Sequence, residues 1–464
     1  MKNKFFLLLL CFICAFVTLT ACETDKGPGT STGENEGLKG EKFYFRGSFI
    51  AEDPRDDPEA DPSAHGNPYI DTTEGEAMFD KCLQIEKELN CKIVRFNETY
   101  TNTSEFAAAY ATGQTPTDIL CAPFTDLLDL YKTDMLVDLY SLSTLNAKDE
   151  EKWGSTQRKE SSTYHGALYA FPVQGSMYYP FTDKYNGAFV YNVDLYKSYG
   201  AEMTPQEMIE NKTWTFAGFQ ALLPKVMAPD LDRPKYGISM INSLPTIAVY
   251  ANGGDVIIKN NKGKYVFGYT TDNAVHALEW ARTITLMDGA IAPNNFKTDF
   301  EKGNATFALI PANEAINSSI STIGWLPFPY GPDVPYGTTY TSYFGYHETG
   351  VSILKHNNNP EREAVVGTIV NALFEPTDKY GKTGYDDYMS RHFFNTKEDY
   401  EIYKEHGLNM HYDWSKEMIK SSIITTFQEA VASAIASSGG SIKQQMEAIA
   451  ESVNENVCKD MNAE

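Results

Sequence analysis

Short apolar segments with the composition of β-strands alternate with amphipathic helical segments along most of this chain. One such unit runs from a strand at Lys42–Ile50, through a helix that ends near Leu89, to a second strand at Lys92–Phe96. A third strand is predicted at Thr117–Cys121, and the alternation returns at Ala188–Asn192. Strands that are separated by single helices pair in parallel, because the crossover helix returns the chain to the same end of the sheet. The pattern therefore predicts an α/β fold and argues against an all-helical or an all-β one.

Local signals mark where several of the predicted helices begin. Ser, Thr, Asp and Asn side chains cap helix starts by accepting hydrogen bonds from N–H groups of the first turn. Thr73 and Glu76 form a capping box, and a proline such as the one after Asn359 is tolerated in a first turn. Helices are predicted to begin at Thr73, at Thr215 (running to about Met227), at Asp272 (to Met287), at Asn359 (to Leu373) and at Ser441.

The N-terminus has the pattern of an export signal, which is read before any fold argument. Met1–Lys4 carries two lysines, and the apolar run Phe5–Phe16 that follows is too short to span a bilayer. Leu19–Cys22 resembles a bacterial lipobox, which implies cleavage before Cys22 and acylation of that cysteine, for example with palmitate. Residues 1–21 are thus predicted to be a signal peptide. Residues 22–41 are predicted to be a lipidated cysteine and a flexible tether, since Glu23–Glu41 has too few apolar side chains to fold.

The charge balance and the metal-binding residue types narrow the possible partners. A formal net charge of −23 at pH 7 disfavours binding to nucleic acid, so no nucleic-acid partner is expected. The histidines lack ligand spacing and the cysteines match no zinc pattern, so we expect neither a metal site nor a cofactor. Two questions stay open. Cys82 and Cys91 either pair or, as the default, are buried free thiols, and the acidic loop 53–62 either binds calcium or is only solvated.

Motifs for common enzyme chemistry are absent or incomplete. Gly381–Thr383 looks like the end of a phosphate-binding loop, but Pro376 stands where the loop requires its first glycine. Neither a G-x-S-x-G nor an H-E-x-x-H motif occurs. A glycosidase needs only two suitably spaced carboxylates, which sequence alone does not exclude. We expect the chain not to be an enzyme.

Several motifs follow one another in an order that is typical of one protein family. The motifs are Ala111–Leu120 (similar to small-x-G-x-x-P-D-I, with Thr117 as an extra residue), His165–Pro172, Val190–Tyr196, Lys212–Phe219, Tyr250–Asp255, Phe300–Ala308 and Trp325–Pro332. Their order resembles that in bacterial extracellular solute-binding proteins of ABC importers, family 1, the maltose-binding-protein type. The resemblance covers Phe43 to about Leu373 and is weaker in the last ninety residues.

This resemblance implies a two-lobed, periplasmic-binding-protein-like (class II) α/β fold with an interlobe cleft and three hinge crossovers. Lobe 1 is expected at 42–172 plus 326–375, and lobe 2 at 173–325 plus 376–464. In this family the ligand site is built from loops at strand ends, where α/β proteins bind ligands. Aromatic rings can stack on a sugar ring while polar side chains bind its hydroxyls. The expected ligand-binding residues are Arg46, Phe49, Phe124, Gln174, Tyr178, Asn313, Glu314, Tyr340, Tyr343 and Trp414.

The function implied by the resemblance is capture of a carbohydrate, either a mono- or an oligosaccharide, for import by an ABC transporter. The expected partners are this small-molecule ligand, the ABC permease subunits and the membrane, which is reached through the lipid anchor on Cys22. The chain is expected to be a monomer on the extracytoplasmic face of the cell membrane. The alternatives are a binder of a peptide or another small solute and, less favoured, a secreted glycan-acting enzyme.

Overall fold

The computed structural model describes a discontinuous set of residues, which contains two main sheets and the helices packed on them. The described residues are 38–47, 73–96, 103–154, 156–160, 162–173, 187–228, 235–240, 244–294, 299–311, 314–315, 318–338, 342–344, 349–356, 359–375, 390–391, 394, 396–407, 410–412 and 421–462. The strands are β1 (Glu41–Gly47), β2 (Cys91–Phe96), β3 (Ile119–Pro123), β4 (Thr163–Tyr164), β5 (Ala167–Leu168), β6 (Phe171–Val173), β7 (Gly187–Asn192), β8 (Tyr236–Met240), β9 (Ile257–Lys259), β10 (Tyr265–Phe267), β11 (Ala305–Pro311), β12 (Ile323–Leu326), β13 (Ser342–Phe344), β14 (Thr349–Ile353) and β15 (Met410–Tyr412).

The helices fill most of the remaining described chain. They are α1 (Thr73–Leu89), α2 (Thr103–Ala111), α3 (Phe124–Lys132), α4 (Glu150–Trp153), α5 (Thr156–Glu160), α6 (Val193–Ser198), α7 (Pro205–Glu210), α8 (Phe216–Leu222), α9 (Leu244–Ala251), α10 (Asp272–Leu286), α11 (Pro360–Leu373), α12 (Lys397–Ile402), α13 (Ser421–Ala436), α14 (Ile442–Val453) and α15 (Lys459–Met461). Two 3₁₀ turns lie at Leu139–Ser141 and Leu223–Lys225, and two π-helical turns lie at Tyr403–Gly407 and Asn454–Cys458.

The first sheet has the strand order β2-β1-β3-β14-β6. β1 pairs in parallel with β2 and β3, as the alternating sequence pattern predicts, whereas β14 runs antiparallel to both of its neighbours. Phe43 and Phe45 lie on the face that packs against α1 and α11. Leu120 and Ala122 lie on the other face, which packs against α2 and α3. Helices on both faces explain why these strands are apolar almost throughout.

The second sheet has the strand order β12-β7-β11-β8, in which β7 runs antiparallel to both neighbours and β11 is parallel to β8. One face carries Phe189 and Phe307, which pack against α8, α9, α10 and the C-terminal helices α13 and α14. The other face carries Val190 and Trp325, which pack against Tyr400 of α12. The sheet is therefore covered on both sides, and each fully buried aromatic side chain contributes about 1.5–3 kcal/mol to the free energy of folding.

Three of the predicted helix caps are confirmed. The side chains of Thr215, Asn359 and Ser441 accept hydrogen bonds from N–H groups of the first turns that follow them. The prediction that Asp272 is a cap is wrong, because Asp272 is the first residue of α10 and its carboxylate instead accepts a 3.0 Å hydrogen bond from Lys443 Nζ.

The helix that Thr215 caps ends at Leu222, earlier than the predicted Met227, and continues as a 3₁₀ turn. Pro224 has no N–H group to donate to a carbonyl one turn earlier, so the α-helical hydrogen-bond ladder stops there.

The cysteines of the described residues follow the default expectation. Cys82, Cys91, Cys121 and Cys458 are buried free thiols, so Cys82 and Cys91 do not pair. Burial raises the pKa of the Cys91 and Cys458 thiols to about 11, which keeps them protonated and unreactive at neutral pH. The acidic loop 53–62 lies outside the described residues.

Candidate functional site

Three strand termini of the first sheet lie side by side at one edge. β14 begins at Thr349, which pairs with Pro123 at the end of β3 and with Val173 at the end of β6. β1 ends close by, because its last residue, Gly47, pairs with Cys121. The chain order reverses between β1 and β3, and α/β sheets bind ligands outside the carboxyl ends of strands at such a reversal. We call this end of the sheet, at which β1, β3 and β6 end and β14 begins, the candidate edge of the first sheet.

Two glycines allow close packing at this edge. Gly47 has φ +149°, and a Cβ atom on it would lie 2.4 Å from the Cβ atom of Cys121. A Cβ atom on Gly350 would lie 2.5 Å from a ring carbon of Phe124 and 2.7 Å from the Cβ atom of Ala170. All three distances are far below van der Waals contact, so a larger residue at either position would push the strand ends apart.

The second sheet has a corresponding candidate edge. Gly187, the first residue of β7, pairs with Pro311, the last residue of β11. Met240 at the end of β8 pairs with Leu309, and Leu326 at the end of β12 pairs with Phe189. β8 and β11 therefore end, and β7 begins, at the same edge of this sheet.

Two chain segments join the two candidate edges. Residues 174–186 lead from the end of β6 in the first sheet to the start of β7 in the second. A second link runs from β13 to β14. The small parallel sheet β13–β15 contacts β7 and α9 through β13 and contacts α5 through β15. Phe344 of β13 is only five residues before Thr349, so these two residues are within about 18 Å of each other.

A partly buried carboxylate that is not among the predicted site residues lies at the first candidate edge. Asp126 in the first turn of α3 accepts a 2.9 Å hydrogen bond from the Thr103 hydroxyl at the start of α2. Burial raises the pKa of Asp126, and the hydrogen bond from Thr103 opposes that effect. A carboxylate in this position can accept hydrogen bonds from a hydroxylated solute. The available signal was its place three residues after the end of β3.

Two of the predicted site residues are buried in the first sheet. Arg46 is 6% exposed, and its Nε atom donates hydrogen bonds to Pro116 O at 3.3 Å and Thr117 Oγ1 at 3.1 Å. Its guanidinium lies 4.0 Å above the Phe96 ring centroid. Phe124 is fully buried, with its ring edge-on to Tyr169. A solute would reach either side chain only if its neighbours moved, and their roles in binding stay predictions.

Of the other predicted site residues, the structure describes Glu314 and Tyr343. Glu314 lies half-buried three residues after the end of β11, at the candidate edge of the second sheet. Tyr343 is the central residue of β13, where its backbone pairs with His411 of β15. The remaining predictions lie outside the described residues and concern Phe49, Gln174, Tyr178, Asn313, Tyr340, Trp414 and the lipidation site Cys22.

The aspartate of the motif at Ala111–Leu120 has a structural role at the opposite end of the first sheet, which we call its base. Asp118 accepts hydrogen bonds from Tyr44 N (2.7 Å) and from both Nε (2.7 Å) and Nη2 (2.9 Å) of Arg362. His356 Nε2 lies 2.9 Å from the same carboxylate. Burial alone would raise the pKa of Asp118, but these hydrogen bonds outweigh it and lower the pKa. Asp118 thus joins β1, β3 and α11.

A second motif residue holds the loop that follows β12. Asn252 is fully buried, and its side chain donates to Asp333 Oδ2 at 2.6 Å and accepts from Asp333 N at 2.9 Å. His276 Nδ1 lies 2.8 Å from the same Asp333 oxygen. Residues 326–375 are predicted from the sequence to belong to lobe 1. Leu326 and Phe328 nevertheless pack with the second sheet's core, and the lobe boundaries stay a prediction.

Within the described part of the chain, no group of His, Cys, Asp or Glu side chains is arranged to hold a metal ion. The helices in that part include none with the length and apolarity needed to cross a bilayer.

Comparisons with known proteins identify a family and a fold. The profile of the family described as bacterial extracellular solute-binding protein matches residues 91–378, more than half of the chain. No curated protein matches the sequence. The cyclic alpha-maltosyl-1,6-maltose binding protein from Arthrobacter globiformis is 15% identical, with a TM-score of 0.63 over 90% of this chain and 100% of that chain.

Two further solved structures have the same fold. The GacH receptor of Streptomyces glaucescens GLA.O, solved unliganded and with acarbose, is 12% identical, with a TM-score of 0.54 over 90% of this chain and 98% of that chain. UgpB from Mycobacterium tuberculosis, solved with glycerophosphocholine, is 13% identical, with a TM-score of 0.53 over 82% of this chain and 95% of that chain. These similarities confirm the predicted two-lobed α/β fold of periplasmic binding proteins.

Proposed function

Because the chain belongs to the family of bacterial extracellular solute-binding proteins, we propose that it captures a carbohydrate between its two lobes. It then releases the carbohydrate unchanged to the permease of an ABC importer. The observation that carries this proposal is the direct connection between the candidate edges of the two sheets, through residues 174–186 and through the link from β13 to β14. Segments that join two lobes at one gap can act as hinges, so that closure buries a solute.

The residue types next to the candidate edges support a hydroxylated solute. Gln174 directly follows β6 and Tyr178 lies four residues further, while Asn313 and Glu314 follow β11. Amides and carboxylates form hydrogen bonds with sugar hydroxyls, and tyrosine rings can stack on the apolar face of a sugar. Asp126 adds a partly buried acceptor at the first edge. The solved structures named for maltosyl and acarbose ligands agree with this chemistry.

We propose that acyl chains on Cys22 anchor the protein to the outer face of the cell membrane. The signal-like segment 1–21 and the lipobox-like Leu19–Cys22 support the anchor. A polar tether then connects the anchor to the body, and more than one acyl chain makes such anchoring stable.

A second candidate ligand class is favoured by one comparison. UgpB has the same fold and was solved with glycerophosphocholine, a polar solute that is not a sugar. Both classes are tested in the same experiment.

The test is a thermal-shift panel on the full-length mature chain carrying Cys22→Ser. A ligand at one hundred times its Kd stabilises the folded protein by about 2.7 kcal/mol, which raises the melting temperature measurably. We expect a mono- or oligosaccharide to do so and to be recovered unchanged by mass spectrometry. An unchanged melting temperature with every sugar, together with an increase with peptides or glycerophosphocholine, would overturn the sugar assignment. Consumption of the sugar would identify an enzyme.

A pair of variants localises the site. Gln174→Ala should weaken binding of the stabilising sugar about tenfold or more, because about 1.4 kcal/mol of hydrogen-bond energy is lost. Gln84→Ala is the matched control, since Gln84 is exposed on α1 and its amide donates to Glu88 in the same helix. Equal affinities of the two variants would contradict the proposed location.

A further inference from the structure

The chain reaches the first sheet at its base, on the side opposite to the candidate edge. Leu38 N donates to Leu89 O and Gly40 N donates to Asn90 O, both at 2.8 Å, at the end of α1. The turn is closed by Glu41 N, which donates to Leu38 O at 3.0 Å. Lys39 and Gly40 have positive φ angles of 55° and 75°, which suit a tight turn. Leu38–Glu41, assigned to the tether from sequence, is therefore fixed to the body.

The base and the candidate edge are separated by the full length of β1. Glu41 begins the strand opposite Cys91, and Gly47 ends it opposite Cys121. The strand has seven residues, and the six steps between them at about 3.3 Å each place the two ends about 20 Å apart. Arg362 strengthens the base, because it forms an ion pair with Glu41 and donates to Lys42 O at 3.0 Å. The attachment point thus cannot slide towards the candidate edge without breaking the sheet.

We propose that the anchored body has to turn over on its tether to deliver solute, and that the length of Cys22–Gly37 permits this. The inference rests on the proposed anchor and on solute binding at the candidate edge. A tether attached at the base holds the candidate edge away from the membrane when it is taut. Delivery to a membrane-embedded permease requires the opposite orientation, in which the tether passes along the body for at least the 20 Å of β1.

The number of residues between Cys22 and Leu38 is sufficient for this orientation. Cys22 is sixteen residues before Leu38, and such a segment has an end-to-end distance of about 22 Å as a coil and about 55 Å when extended. Both orientations are therefore reachable. Removing residues 26–35 leaves six residue steps, which span about 20 Å at full extension and leave no slack for the loops beyond the sheet.

The experiment measures orientation on vesicles. Acylated full-length protein is bound to phosphatidylcholine vesicles that contain a nitroxide-labelled lipid, and a fluorophore is attached to a single introduced cysteine. Lys87→Cys reports the base, since Lys87 is exposed in the last turn of α1. Thr125→Cys reports the candidate edge, since Thr125 is exposed next to the end of β3. The four native cysteines of the body are buried and stay unlabelled.

We expect lipid quenching of both probes at the natural tether length. Deletion of residues 26–35 should reduce quenching of the Thr125→Cys probe at least fivefold and leave that of the Lys87→Cys probe unchanged. Replacing the same ten residues by a Gly/Ser sequence of equal length is the control and should restore the natural values. Equal quenching of the Thr125→Cys probe with and without the deletion would overturn the proposal. Failure of the acylated protein to float with vesicles would instead refute the anchor, and the solution sugar panel tests binding separately.

Discussion

Asp118 shows how one charged residue can organise the base of the first sheet. Its side chain is 1% exposed and is held by the bidentate contact with Arg362 and by Tyr44 N. A buried carboxylate is stable only when its partners replace the water that it loses. Here they more than replace it, because the pKa of Asp118 is lowered in spite of burial. Removing the charge therefore leaves the Arg362 guanidinium without its main partner.

The first prediction concerns this pair. Asp118→Asn should lower the free energy of unfolding by about 3 kcal/mol at pH 7, the order found when one partner of a buried ion pair is removed. The folded-state pKa is below the ordinary 3.8, so the carboxylate's contribution is present above about pH 4 and is lost as the pH falls through the folded-state value. Urea titrations of both proteins between pH 7 and pH 3 should show the difference shrinking only below about pH 4.

Asp134→Asn is the matched control. Asp134 is 85% exposed and pairs with the half-exposed Lys355, so its loss should cost less than about 1 kcal/mol. If Asp118→Asn costs no more than this control, or if the gap persists undiminished at pH 3, the assigned role of Asp118 is wrong.

At the scale of elements, the C-terminal helices close the open edge of the β9–β10 hairpin. Asn462 Oδ1 accepts from Tyr265 N, and its Nδ2 donates to Tyr265 O, both at 2.9 Å. Asn454 Oδ1 accepts from Phe267 N at 2.8 Å. Two asparagine side chains thus stand in for a neighbouring strand, which protects an edge that would otherwise invite pairing with another chain.

The π-helical turn Asn454–Cys458 explains how both asparagines reach the same strand. In a regular α-helix a residue seven positions on returns to nearly the same face, whereas Asn462 is eight positions after Asn454. A π turn takes up one additional residue and restores the alignment. The C-terminal helices α13 and α14, which lie beyond the part of the chain that the family profile matches, are in this way an integral part of the second core.

The second prediction follows from this contact. Asn462→Ala should lower the free energy of unfolding by about 1–2 kcal/mol, because it removes two hydrogen bonds from an edge strand. Peptide-resolved hydrogen exchange should show faster exchange at residues 264–268. Asn456→Ala is the control, since Asn456 lies in the π turn before Asn462 and its side chain donates to Ser452 O within the same helical segment. An unchanged exchange rate at residues 264–268 in the Asn462 variant would refute the role assigned to the hydrogen bonds between Asn462 and Tyr265.

Local sequence patterns locate some of the helices and strands but not others. α1, β2, β7 and α11 could be located because their apolar spacing and caps are local. α9 was missed, because six of its eight residues are buried and it has no polar face to reveal a helical period. β14 was missed for a similar reason, since four of its five residues are buried on both sides of the sheet.

The position of the candidate site in the fold could be predicted from the sequence, but the contacts of its side chains could not. Strand ends can be located from sequence, so Phe124 and Gln174, which directly follow β3 and β6, are predicted to lie near the cleft. The direction of a side chain depends on the pleat and on what covers each face. Arg46 follows the inward-facing Phe45, so it points to the other face, where Pro116 and Thr117 accept its hydrogen bonds. The hydrogen bond between Thr103 and Asp126 depends on the packing of α2 against α3, which the local sequence pattern does not reveal.

For the whole molecule, we propose that an anchor on Cys22 determines where the acidic body works. The net charge of −23 repels anionic lipid headgroups, so the body has no electrostatic attraction to such a membrane, and the proposed acyl chains would supply the attachment. Cys22→Ser should therefore move most of the protein from the membrane fraction to the medium. Cell fractionation followed by immunodetection measures the distribution.

Cys11→Ser is the control for this last prediction, because Cys11 lies within the apolar run of the signal-like segment and is not next to its small residues. That variant should stay with the membrane fraction. Retention of the Cys22 variant at the membrane would contradict acylation of this residue as the cause of membrane attachment. Release of both variants would show that a substitution elsewhere in the signal-like segment also releases the protein, and would contradict a specific role of Cys22.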